Sequence, residues 1–90
     1  MKKLIVMHGS YGHVELSEND VVTEGKFKGM TQREMFEHII NEGYGKKIPG
    51  IFHAEFNDGS TKIYEGNEAK ELINNPDVNE VTVIAPIAGG

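Results

Sequence analysis

The sequence contains no cysteine. That excludes disulfides, thiolate metal sites and thiol nucleophiles together. It has no tryptophan and only three prolines. No apolar run approaches the ~18 residues that span a bilayer. The opening Met1-Lys2-Lys3-Leu4-Ile5-Val6-Met7 has a short basic lead, but the apolar run breaks at His8-Gly9. That is too early for the core of a secretory signal. A cytoplasmic address without a membrane partner is the expectation. Positive charge is scarce as well: nine Lys and Arg stand against 14 Asp and Glu, for a net charge of −5. Apart from Lys2-Lys3 and Lys46-Lys47, the basic residues are scattered. Holding a phosphate backbone needs a clustered basic surface, so no nucleic-acid partner is expected.

Ninety residues make a single domain, taken here as 1–90. A chain this short buries only ~60–65% of the surface its unfolded form exposes. It has room for one modest core and none for a deep two-lobed site. Repeats and low-complexity stretches are absent from the sequence.

The hydrophobic pattern predicts alternating elements. Lys2 to Met7 reads as a strand with apolar residues on both faces, hence a central one. Gly9-Ser10-Tyr11-Gly12 is a turn, and His13 to Ser17 alternates as a half-buried strand. Glu18 to Gly29 reads as a loop or a short extra strand. Thr31-Gln32-Arg33-Glu34 is a capping box. Met35, Phe36, Ile39 and Ile40 follow at helical spacing, and Gly43 is the stop. After a connector at Lys46 to Pro49, Ile51 to Phe56 is a strand. Asp58-Gly59 signals a hairpin turn, and Thr61 to Tyr64 returns. Asn67 is placed to cap a short helix carrying Ala69, Leu72 and Ile73, which Asn74-Asn75-Pro76 ends. Glu80 to Ile87 is the last strand.

The order is β-β-α-β-β-(short α)-β. The predicted class is α+β, with one mixed sheet, one main helix and a short second helix. If the first and last strands lie side by side at the centre, the fold is a ubiquitin-like β-grasp.

Most candidate chemistry in the chain has a plainer reading. His8 and His13 flank the first turn and would need to face each other to bind a metal. No carboxylate stands at a diagnostic offset, so no metal site is expected. Ser10 beside either histidine lacks a third group. Gly9-Ser10-Tyr11-Gly12 lacks the Lys-Ser/Thr of a phosphate loop. Tyr11, Tyr44 and Tyr64 read as rim packing.

The C-terminal run is more specific. Val81-Thr82-Val83-Ile84-Ala85-Pro86-Ile87-Ala88-Gly89-Gly90 takes a strand straight into a diglycine. Pro86 cannot donate to a ladder and so ends pairing. Alternation puts Val81 and Val83 on the core face and Thr82 and Ile84 on the other. A tail of small residues suits threading into a narrow channel, where a Cβ would clash.

Pro86-Ile87-Ala88-Gly89-Gly90 resembles the end of the ubiquitin-like sulfur carriers, namely the small subunit of molybdopterin synthase and the carrier of thiamine biosynthesis. The resemblance implies a non-enzymatic protein with no bound cofactor. An adenylating enzyme would spend ATP to activate the carboxylate of Gly90. Sulfur transfer would make it a thiocarboxylate, to be delivered to a sulfur-accepting biosynthetic enzyme. Gly89, Ala88 and Ile87 would form the tail. Ile84, with Pro86, would meet the partner enzymes. Two alternatives share the pattern. One is a ubiquitin-like modifier conjugated to lysines. The other is a phage tail-assembly module, in which the glycines lie inside a longer chain. In those modules the proline and glycine are one residue farther apart than Pro86 and Gly89, which favours the carriers.

Overall fold

The computed structural model describes residues 1–8, 12–25, 27–43 and 51–84. The predicted turn at 9–11, the connector at 46–49, Tyr11, Tyr44 and the tail from Ala85 to Gly90 lie outside the described residues.

Five strands form one mixed sheet: β1 (Lys3–His8), β2 (Gly12–Ser17), β3 (Ile51–Phe56), β4 (Thr61–Glu65) and β5 (Val78–Ile84). Their order is β2-β1-β5-β3-β4. Two antiparallel hairpins, β1–β2 and β3–β4, supply the outer pairs. β5 inserts between them, parallel to β1 and antiparallel to β3. The α+β class, with a main helix and a short second one, is as the sequence predicts, and β1 is central as expected. The first and last strands do lie side by side.

The main helix α1 (Gln32–His38) starts where the capping box places it. The Thr31 hydroxyl accepts from the Glu34 N–H at 3.2 Å, and the Glu34 carboxylate accepts from the Thr31 N–H at 3.0 Å. The helix runs on into a wider π-helical turn, Ile39–Gly43. Helix and turn together bury Met35, Phe36, Ile39 and Ile40 against one face of the sheet. That face carries Leu4, Val6, Leu16, Phe52, Ala54, Val81 and Val83, all buried. Phe36 meets Phe52 edge-on at 5.7 Å between ring centres, a geometry that the ring quadrupoles favour. Gln32 is also buried, and its side-chain amide donates to the Leu16 carbonyl at 3.1 Å. This bond ties the start of the helix to β2.

Three local predictions are refined. The described residues of 18–29 form no extra strand, and an isolated bridge pairs Val21 with Thr31. Val22 exchanges hydrogen bonds with Gly29 and Met30 and enters the core. The second helix is a 3₁₀ segment, Gly66–Leu72, and Asn67 lies inside it rather than capping it. Gly66, at φ 55, turns the chain directly out of β4, a conformation glycine adopts without strain. The Glu65 N–H donates to the Glu68 carboxylate at 3.1 Å. Three residues per turn stack Ala69 and Leu72 on one buried face. Finally, Tyr64 is buried in the core instead of lying on the rim, with the Lys62 ammonium 4.8 Å from its ring centre.

The β3–β4 turn forms at Asp58-Gly59, with Gly59 at φ 88. The Asp58 carboxylate accepts from the Ser60 hydroxyl at 2.6 Å and from its N–H at 2.9 Å. The hydroxyl, then the amide, holds the Asp58 carboxyl below its ordinary value. Its contribution to the turn is therefore present above that ordinary value and is lost as pH falls through the lowered one.

Loss of the Thr31 cap by Thr31→Ala should cost about 1 kcal/mol. Phe36→Ala should cost about 3–5 kcal/mol by opening the core. Urea denaturation of both variants checks the ranking. Equal losses would mean that Phe36 does not anchor the helix to the sheet.

Candidate functional site

Strand pleating gives the sheet two unlike faces. One packs on α1. No described element covers the other. Register places its residues in rows across the strands. Met7 of β1 lies beside Ile84 of β5, Ile84 beside Ile51 of β3, and Ile51 beside Glu65 of β4. The next row runs Ile5, Thr82, His53, Ile63. The third runs Lys3, Glu80, Glu55, Thr61.

Met7, Ile84 and Ile51 of the first row and Ile5 and Ile63 of the second make an apolar stripe. Met7 is 48% exposed, Ile84 46% and Ile63 61%. Ile5 and Ile51 between them are half-buried. Isolated exposed apolar residues are ordinary, but contiguous ones mark contact surfaces. The stripe sits in an acidic frame: Glu15, Glu55, Glu65 and Glu80 share this face with one cation, Lys3.

Ile84 is where alternation predicts, on the open face, with Val81 and Val83 fully buried behind it. It is also the last residue of β5. The apolar row Met7–Ile84–Ile51 is thus the row nearest the start of the C-terminal run. The other predicted site residues, Pro86, Ile87, Ala88, Gly89 and Gly90, lie outside the described residues.

Met7 and Ile63 have no counterpart among the residues singled out from the sequence. β1 reads as apolar on both faces, which places it centrally but does not say which face is covered. One of its faces is open, so Ile5 and Met7 face outward. Ile63 alternates with buried Tyr64 on an edge strand. Only the strand order brings Met7 beside Ile84 and sets Ile63 on the same face, two strands away.

In the β1–β2 register His8 is opposite Gly12 and His13 is opposite Met7, so the two histidines are not cross-strand partners. His13 lies 3.5 Å from the Glu15 carboxylate, both exposed. Among the described residues no group of three or more His, Asp or Glu could hold a metal ion. No helix among them is long and apolar enough to cross a membrane.

Ile84→Asp should change stability by no more than about 1 kcal/mol, the span of strand preference at an exposed position. Val83→Asp, one residue away, should unfold the domain by burying an unpaired charge. Circular dichroism melts of the pair check the assignment of faces, and unfolding by Ile84→Asp would reverse it. No protein-family model matches the chain, and no match is found among curated proteins or solved structures.

Proposed function

We propose that this chain is a ubiquitin-like β-grasp sulfur carrier, a protein acted on by others rather than an enzyme. The observation that carries the reading is the place of β5. It lies at the centre of the sheet, parallel to β1, and ends at Ile84 on an exposed apolar row. The sequence then continues Ala85-Pro86-Ile87-Ala88-Gly89-Gly90. The order β2-β1-β5-β3-β4 with a parallel central pair supports the β-grasp part of the reading.

In this reading a partner enzyme docks on the stripe around Ile84 and takes the tail. The Gly90 carboxylate attacks the α-phosphate of ATP, and pyrophosphate leaves. A sulfide equivalent then displaces AMP to give the thiocarboxylate. The sulfur passes to a biosynthetic acceptor in a second complex. Gly89 keeps the tail narrow, and Ala88 and Ile87 complete it. The domain itself contributes a rigid mount and a docking face.

A second reading, a structural module of an assembly, is favoured by the breadth of the stripe. It crosses four strands, from Met7 to Ile63. A permanently docked subunit would cover all of it, whereas handing over a tail needs only the part around Ile84.

Deleting Gly90 separates the two. The deletion should leave the melting temperature within about 2 °C, because a terminal residue without a side chain contributes little to packing. It should abolish ATP-dependent activation, read as loss of the terminal hydroxamate formed when the protein is incubated with its own cytosol, ATP and hydroxylamine. Intact protein that forms no hydroxamate would overturn the carrier reading. So would hydroxamate that persists without Gly90.

A further inference from the structure

β2 is an edge strand. It pairs with β1 on one side and with no described strand on the other. The Ser17 N–H donates to the Asp20 carboxylate at 2.9 Å, and the Ser17 carbonyl accepts from the Asp20 N–H at 3.0 Å. Both backbone groups of Ser17 therefore point away from β1. In an antiparallel pair, alternate residues turn both backbone groups to the same side. Glu15 and His13 thus direct their N–H and C=O to the free edge.

Free edges are templates for another strand, and folded proteins blunt them with lysine, proline or bulges. The opposite edge, β4, is short and carries Lys62 at its second position. β2 carries none of these devices; its sequence is Gly-His-Val-Glu-Leu-Ser. The chain that follows β2 does not close the edge. It stands off as a second wall, and a cleft of about 660 Å³ lies between the two. That volume is within the range of built binding pockets.

The walls have a definite chemistry. Val14 and Val21 supply apolar surface, and Val21 is 46% exposed. Glu15, Asp20 and Glu24 supply negative charge, and no Lys or Arg is among the described residues that line the cleft. Two copies of this chain paired edge to edge through β2 would set that acidic wall against its own copy, which costs rather than gains.

We propose that this cleft receives an extended, lysine- or arginine-bearing segment of a partner protein, which pairs with the free edge of β2 as an added strand. Its backbone bonds to His13 and Glu15. Its apolar residues contact Val14 and Val21, and its cations meet Glu15, Asp20 and Glu24. The site is on the opposite flank of the sheet from β4, and the residues argued to form it lie between His13 and Glu24. It stands or falls independently of the tail chemistry.

The test is a titration of the full ¹⁵N-labelled chain with an acetylated, amidated peptide of alternating valine and lysine, Val-Lys-Val-Lys-Val-Lys-Val. Amide shifts should be confined to residues 12–25, and hydrogen exchange at His13 and Glu15 should slow about ten-fold at saturation. The counterpart with glutamate in place of lysine should not bind. Glu15→Pro removes one edge donor without touching the β1 pairing and should weaken binding about ten-fold. Glu24→Lys alters charge alone and should weaken it in the same direction, so a folding defect in the first variant leaves the test intact. Three results would overturn the proposal. One is equal binding of the glutamate peptide. Another is failure to bind at residues 12–25, read as shifts centred on Met7 and Ile84 instead or as no shifts at millimolar peptide. The third is concentration-dependent shifts at 12–17 without peptide, which would make the occupant a second copy.

Discussion

Everything in this domain depends on β5 being held between the two hairpins. β1–β2 and β3–β4 each form locally, and neither can bury a face alone, because isolated two-stranded sheets are marginal in water. β5 joins them. It bonds in parallel to β1 and antiparallel to β3, and places Val81 and Val83 under the helix with no exposure. The helix then has a continuous floor. Phe36 can reach Phe52 only because β3 lies next to β5. One strand near the end of the sequence thus fixes the sheet, the core and the open face together.

The same constraint creates the functional geometry. A strand locked at the centre of a sheet gives a rigid base to whatever follows it. Its outward residues align with those of both neighbours, so Met7, Ile84 and Ile51 come into one row although they are far apart in sequence. Glutamates frame that row, in keeping with an overall charge of −5. In the proposed reading, this apolar centre with its acidic surround is what a partner surface of opposite character would meet. The edges of the sheet follow from the order as well. Placing β5 inside leaves β2 and β4 outside, and only β4 carries a lysine against strand addition.

Local signals in the sequence were read well because they are short-range physics. The Thr31–Glu34 box, the Asp58-Gly59 turn and the alternation of Val81 to Ile84 each depend on neighbours within a few residues. The 3₁₀ form of Gly66–Leu72 was less legible, since Ala69 with Leu72 at i+3 and Ile73 at i+4 suits an α-helix as well as a 3₁₀ turn. Non-local facts were not legible. An apolar strand such as Leu4 to Met7 reads the same whether one face or both are covered. Val22 enters the core through the path of a polar loop, which no periodicity announces. The cleft beside β2 exists because no described strand lies beyond it, and that is a property of the strand order. Ile84 could be assigned to a face from alternation, but the presence of Met7 beside it and of Ile63 on the same face could not.

The chemistry of the last residues is tested most directly by the intact mass of the protein purified from its own cytosol. A mass higher by the replacement of one oxygen with one sulfur, lost when Gly90 is deleted, is the expected result. A chain that continues past Gly90 in its native form would contradict it and give the assembly reading the stronger claim. A chain ending at Gly90 with no sulfur, recovered instead in amide linkage to lysines of other proteins, would contradict sulfur carriage while keeping activation of the tail.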